Sequence, residues 1–230
     1  MIRIQAIVTD IEGTTSALSF VTEGLYPYAR AHLPAFVRER SADPEVQQAL
    51  GEVERFAGRR LSVEEAIAQL LAWMEEDRKI TPLKTLQGLV WERGFASGAL
   101  TTHFYPDVAP QLRAWKASGI RLYVYSSGST FAQRLIFGHS PDGDLTPLFD
   151  GFFDTTTGAK TNPASYRSIA AALGLPPQAI AFLSDNRREL DAARTAGLRT
   201  VWLVRNGPVD HGVGHRKVRD FHAADAAVRQ

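Results

Sequence analysis

Cysteine is absent from the 230-residue chain, which removes disulfide bonds, thiolate metal sites and cysteine nucleophiles from consideration. Blocks of like charge are absent too. Basic residues number 26 against 25 acidic ones, for a formal net charge of +1, so nothing electrostatic favours nucleic acid or an anionic membrane as partner. No apolar run approaches membrane-spanning length, and the N-terminal one is broken by Arg3 and then Asp10, unlike a signal peptide. Internal repeats and low-complexity segments are not seen. What remains is an ordinary globular composition, 44% hydrophobic and 22% charged, long enough for one large domain or one domain with an insertion. A monomeric cytoplasmic enzyme is the default expectation.

The stretch that organises the rest runs from Ile7 to Thr15, I-V-T-D-I-E-G-T-T. A short apolar run stopped by Asp10 and Glu12 has the pattern of a buried parallel strand delivering its last residues to a sheet edge. Two carboxylates one residue apart at that edge can hold a divalent cation and a phosphate together.

From about Val21 to Leu100 the pattern is helical throughout. Val46, Leu50, Val53 and Ala57 recur at helical spacing. Ser62-Val63-Glu64-Glu65 is a capping box before the apolar face of Val63, Ile67, Leu70, Leu71 and Met74. Thr81-Pro82 starts a third helix. From Tyr105 onward, strands alternate with helices: strands at 120–125, 179–183 and 200–204, a short strand or loop entry at 149–154, and helices at 106–118, 130–137, 163–173 and 187–196. That alternation implies a parallel sheet covered on both faces, an α/β doubly wound fold with an inserted helical domain. The expected boundaries are residues 1–20 with 101–230 for the core domain and 21–100 for the insertion. Beyond Asn206 a loop with a short terminal helix is expected.

Each of three expected strands ends in a residue suited to phosphoryl transfer: Asp10 and Glu12, then Ser126 and Ser127, then Asp185, with Lys160 ahead of a helix. Parallel strands present the same end on one side, so these residues can converge. A phosphate monoester is dianionic and slow to hydrolyse, so its site must neutralise charge and hold a nucleophile in line. Asp10 is the candidate nucleophile, through an aspartyl-phosphate. Magnesium suits the oxygen ligands, with Asp185 as a further contributor. Ser126 can donate to phosphoryl oxygens, and Lys160 supplies a compact positive charge.

The set D-I-E-G-T-T, Y-S-S-G-S, L-I-F-G-H-S, F-D-T-T-T-G-A-K and S-D-N-R-R-E resembles the haloacid dehalogenase superfamily of phosphohydrolases. Within it the chain resembles the acireductone synthase family, the enolase-phosphatases of methionine salvage, over nearly all its length to about Val204. The resemblance implies one Mg2+ held by Asp10, Glu12 and Asp185, and substrate bound by Ser126, Ser127 and Lys160. It implies enolisation of 2,3-diketo-5-methylthiopentyl-1-phosphate, then hydrolysis of the enol phosphate to acireductone and phosphate. It also implies that the helical insertion is a cap closing over the site. Two features depart from the superfamily's commoner wording. Glu12 stands where most members have Asp, often the general acid and base, so Glu12 is a candidate for either that role or metal ligation. The run after Asp185 also differs, and Glu189, one helical turn on, could orient the metal or Lys160.

Plainer readings stand beside these. Ser126 and Ser127 could cap the next helix, and Thr14 and Thr15 could just shape a turn. His103, His139, His211, His215 and His222 show no ligand spacing and read as surface or capping residues. Phe20, Tyr26, Trp91 and Tyr105 read as core. The competing functions are a phosphatase of another small phosphorylated metabolite and a phospho-acceptor signalling module. Such a module is usually about half this length and lacks the helical insertion.

Overall fold

The opening apolar run forms β1 (Ala6–Thr9), an interior strand of a parallel sheet, in a computed structural model that describes residues 2–209 and 214–229. Beside it lie β2 (Arg121–Tyr125) and then β3 (Gly151–Phe153). On its other side come β4 (Ile180–Ser184), β5 (Arg199–Leu203) and β6 (Arg216–Val218). The order is β3-β2-β1-β4-β5-β6. The chain winds outward from β1 to β3, then returns to β1's other side, which makes a switch point beside the strand that ends in Asp10.

Two compact units are present: Met1–Leu18 with Thr102–Gln230, and Ser19–Thr101. The second is helical. A π-helical stretch, Phe20–Leu25, leads into α1 (Tyr26–Arg40), followed by α2 (Pro44–Ala57), α3 (Val63–Glu75) and α4 (Thr81–Ala96). The capping box at Ser62 forms as expected: the Glu65 N–H donates to Ser62 Oγ and the Ser62 N–H to Glu65 Oε2, at 3.3 and 2.8 Å. Leu33, Val37, Val53, Leu70 and Leu86 bury the inward faces of all four helices. Trp91, buried among them, donates its indole N–H to the Leu25 carbonyl. The reading from sequence located three helices here; α1 lies outside them because Pro27 and Pro34 interrupt its pattern. Pro27 sits in the first turn, where no N–H is needed, and Pro34 is carried inside the helix.

In the sheet unit, alternation along each strand sends Ala6, Val8, Tyr123, Tyr125, Ile180 and Phe182 to one face. There they meet α7 (Pro163–Leu173) and α8 (Arg187–Thr195) through Tyr166, Ile169, Leu190 and Ala193. The opposite face, with Ile7, Leu122, Val124 and Leu183, lies on the side of α5 (Val108–Ala117), α6 (Thr130–Gly138) and α9 (Phe221–Arg229). Trp115 and Phe221 stack there at 5.2 Å between ring centroids. Both faces are covered, so central strands such as β1 and β4 are buried along their whole length. Beyond Asn206 the expected terminal helix is present as the nine-residue α9, and the region also contributes β6, where only a loop is expected. A three-residue strand reading Arg-Lys-Val is too short and too polar to announce itself by periodicity.

Candidate active site

Register brings the strand ends together. Thr9 lies opposite Val124 on one side and Leu183 on the other. Asp10 is therefore level with Tyr125 and Ser184, and Ser126 and Asp185 follow one residue further along. The Asp10 N–H extends the ladder to the Leu183 carbonyl at 2.9 Å. Beyond it the chain turns tightly, with the N–H groups of Thr14, Thr15 and Ser16 all donating to the Ile11 carbonyl.

The centre of the site is a buried charge cluster. Lys160 Nζ lies 2.7 Å from Asp10 Oδ1 and 2.7 Å from Glu189 Oε2, with side chains only 6%, 6% and 11% exposed. The Ile11 N–H also donates to Asp10 Oδ1 at 2.7 Å. Ser184, fully buried at the end of β4, donates between Asp10 Oδ2 at 3.3 Å and Glu189 Oε2 at 3.2 Å. Burial works against the Lys160 ammonium, but Asp10 and Glu189 outweigh it and hold its pKa above the usual lysine value. Glu189 is pushed up to about 7, by burial first and then by Asp10. The same two causes push Asp185 up to about 6. Two carboxyl groups thus share the Lys160 ammonium, and the Asp10 charge adds to burial in raising Glu189 and Asp185.

Lys160 is held by its backbone. Its carbonyl accepts the Tyr166 hydroxyl at 2.7 Å, the Ala159 carbonyl accepts Ser165 Oγ at 2.8 Å, and the Gly158 carbonyl accepts the Tyr125 hydroxyl at 2.9 Å. Asp185 is held from the other loop: its N–H donates to Thr14 Oγ1 at 3.0 Å. Gly13, at φ 68°, packs so closely that a Cβ there would stand 2.0 Å from Asp185 Oδ2. Gly13→Ala is therefore expected to lower folding stability by about 1–3 kcal/mol through left-handed strain and displacement of Asp185. Denaturant unfolding of the variant checks this, and an unchanged midpoint would remove the packing argument.

Ser126 is buried and its Oγ accepts the Gly128 N–H at 3.4 Å. Capping of α6 falls to Ser129, whose Oγ accepts the Ala132 N–H, so the capping role considered for Ser126 and Ser127 belongs to their neighbour. Glu12 is half-buried beside Asp10 and bridges to Ser16 through the backbone. Among the described residues no group of three or more His, Asp or Glu side chains is gathered to hold a metal ion. The side chains of Asp10, Glu12 and Asp185 are thus not assembled as a three-carboxylate set. Ser184 is the hydroxyl between two carboxylates distant from it in the chain, and its place at a strand end beside Asp185 is the one signal of it in the sequence.

Among the described residues, the histidines join no metal-holding group. His103 Nδ1 accepts the Ala17 N–H, His139 ends α6, and His222 meets Gln111. His215 corrects the expectation of a surface position: it is buried between Thr200 Oγ1 at 2.6 Å and Asp191 Oδ1 at 3.0 Å. His211 lies outside the described residues. No helix among the described residues is long and apolar enough to cross a membrane.

Comparison with known proteins adds a family to this geometry. Residues 4–197 match the family model described as haloacid dehalogenase-like hydrolase. The chain is 59% identical over 227 residues to an enolase-phosphatase E1 of Pseudomonas aeruginosa, covering 98% of this chain and 99% of that protein. It is 55% identical over 227 residues to the enolase-phosphatase E1 of Azotobacter vinelandii, again covering 98% and 99%. Among solved structures, the Unknown transcript 4 protein of Saccharomyces cerevisiae superposes with a TM-score of 0.79 at 34% identity, covering 95% of this chain and 98% of that one. A phosphatase of the haloacid dehalogenase type from Thermococcus onnurineus shares the fold at a TM-score of 0.61 and 20% identity, covering 98% of each chain. With a buried lysine–carboxylate cluster at the strand ends and relatives that match it from end to end, the chain belongs to the haloacid dehalogenase-like hydrolases and, among them, to the enolase-phosphatase E1 family.

Proposed function

We propose that this protein converts 2,3-diketo-5-methylthiopentyl-1-phosphate to 1,2-dihydroxy-3-keto-5-methylthiopentene and phosphate, by enolisation followed by hydrolysis of the enol phosphate. The observation that carries the reading is the Lys160–Asp10 pair, a carboxylate fixed against an ammonium at the carboxyl edge of a parallel sheet, in a chain 59% identical to an enolase-phosphatase E1.

In the phosphatase stage Asp10 attacks phosphorus. A bond forms from its carboxylate oxygen as the bond from phosphorus to the enol oxygen breaks, and the enolate leaves with that electron pair. Water then cleaves the aspartyl-phosphate, releasing phosphate and restoring the carboxylate. Lys160 neutralises the nucleophile before attack and the phosphoryl oxygens as charge builds on them. Ser126 and Ser127, at the end of β2, are assigned to hydrogen bonds with the phosphoryl group. Glu189 positions Lys160, and Ser184 positions Asp10 and Glu189.

The donor set fits a divalent cation: the buried carboxyl groups of Asp10 and Glu189 meet a single ammonium, and Asp185, one residue past the end of β4, adds a third, exposed carboxyl group. Mg2+ commonly uses one or two carboxylates and keeps several waters. Asp10, Glu12 and Asp185 are the residues that would hold it, with water completing its shell. When bound, the ion supplies the charge that lets a carboxylate approach a phosphate dianion. Removing Mg2+ with a chelator is expected to abolish phosphate release, and adding Mg2+ back to restore it. Undiminished release in chelator would end the metal assignment.

The function itself is tested by following ultraviolet absorbance of the enol intermediate together with phosphate release from the diketo phosphate. Turnover of a sugar phosphate without any absorbance change on the diketo phosphate would favour a phosphatase of another metabolite. Many turnovers per chain would exclude a phospho-acceptor signalling role.

A further inference from the structure

A buried arginine from the far end of the chain reaches the loop that follows Asp10. Arg205, two residues past β5, is 6% exposed at its side chain and has all three of its guanidinium nitrogens engaged. Nη1 donates to both oxygens of Asp107 at 2.8 Å each and reaches the Arg219 carbonyl at 3.4 Å. Nε and Nη2 both donate to the main-chain carbonyl of Thr14, at 2.9 and 2.6 Å. The guanidinium lies over the Tyr105 ring at 4.2 Å and the Phe221 ring at 5.2 Å.

A buried guanidinium that needed only a counter-charge would be satisfied by Asp107. Here two further donors are directed to one carbonyl, and that carbonyl belongs to the residue whose hydroxyl accepts the Asp185 N–H. One position before it, Gly13 packs against the Asp185 carboxylate with no room for a Cβ. Asp107 is fixed in turn by the Phe221 N–H at 2.8 Å. A continuous set of contacts therefore runs from α9 through Asp107 and Arg205 to Thr14, and from Thr14 to Asp185. The fork suits this task because a guanidinium presents several donors in a rigid plane, which an ammonium does not.

We infer that Arg205 is a positioning residue for the phosphoryl site: it clamps the Thr14 carbonyl and thereby sets where Asp185 stands relative to Asp10. This rests on the reading of Asp10 and Asp185 as the phosphoryl and Mg2+ site. It predicts a loss located in the chemical step and in cation binding rather than in substrate binding, since Ser126, Ser127 and Lys160 are untouched.

The test uses Arg205→Lys, which keeps the charge against Asp107 but loses the fork, and Thr14→Val, which keeps the carbonyl and deletes the hydroxyl beneath Asp185. For Arg205→Lys, kcat is expected to fall on the order of tenfold to a hundredfold, the cost of a small misplacement of reacting groups. KM should stay within about twofold of wild type. Calorimetric titration of Mg2+ into the substrate-free protein should show affinity weakened roughly tenfold, as when a group that orients a metal ligand is lost. Thr14→Val should give the same pattern.

Arg205→Lys that folds with wild-type kcat and Mg2+ affinity overturns the inference, even if its melting temperature drops, because the clamp is then only structural. A raised KM at unchanged kcat also overturns it, since that would mark direct substrate contact. If Arg205→Lys does not fold, Thr14→Val decides: wild-type kcat and Mg2+ affinity overturn the inference, and the expected losses uphold it. Failure of the wild-type protein to turn over the diketo phosphate would instead strike the functional reading, and the variants' Mg2+ titrations would still decide the clamp.

Discussion

Asp10→Asn is expected to lower phosphate release on the order of 10⁴-fold or more while leaving the fold intact. The substitution is nearly isosteric, so the close packing of a residue only 4% exposed is kept. What goes is the nucleophile, because an amide cannot form the acyl phosphate that divides hydrolysis into two steps. The fold should tolerate the change, since Lys160 retains Glu189 at 2.7 Å. Removing the Asp10 charge also removes one cause of the raised pKa values of Asp185 and Glu189, so both should fall towards the ordinary carboxyl range. Phosphate release and thermal unfolding, measured on the same preparation, check both halves. Residual turnover within about tenfold of wild type would remove Asp10 from the nucleophile's role.

Lys160→Met carries the other large effect, and it falls on activity and stability together. Without the ammonium, Asp10 and Glu189 face one another in a buried site with no positive charge between them. Breaking a buried ion pair from one side costs about 3–5 kcal/mol, and loss of a fixed charge opposite the transition state costs on the order of 10³-fold in rate. The stability loss has a definite pH dependence. Glu189, already raised from its ordinary 4.5 to about 7, keeps its proton in the folded protein to a higher pH than in the unfolded chain. Such an acid favours folding most below 4.5, and that contribution is lost as pH rises towards 7. Removing Lys160 removes an interaction that lowers the Glu189 pKa, so the decline should steepen and extend to higher pH. Denaturant unfolding of metal-free protein should show a larger deficit near pH 8 than near pH 5. Equal deficits would mean that the carboxyl groups do not meet as described.

Asp10 is legible in the sequence because of where parallel strands end, and Lys160 because it stands ahead of a helix in the company of three such ends. β1, β2 and β4 are apolar runs that stop at a polar residue, and a parallel sheet turns that repeated pattern into one shared edge. Pro163–Leu173 could be bounded by its punctuation, Pro at the start and Gly174 after the end. Other parts of the fold carry no such mark. α1 hides behind two prolines, and β6 is a three-residue strand paired to the edge that β5 offers. Within the site, Asp10 and Lys160 are of residue types suited to phosphoryl transfer, and the order of the three strand ends around them carries the assignment. Ser184 and Arg205 do their work through partners far off in the chain, Ser184 on Asp10 174 positions away and Arg205 on Thr14 191 positions away. No local pattern encodes a pairing of that span. His215 is buried where a surface position is expected for the same reason, since its partners Thr200 and Asp191 are distant in the chain.

The three hydroxyls that fasten the backbone at Gly158, Ala159 and Lys160 bear on the entropy of ligand capture. A lysine on a free loop loses roughly 2 kcal/mol of side-chain freedom when it settles on an anion, and its backbone loses more. Here that ordering is completed when the chain folds, before any phosphate arrives. Association with the anion can then proceed with a smaller entropic penalty, so calorimetry of phosphate binding should become less favourable in its entropy when Tyr166→Phe loosens the fastening.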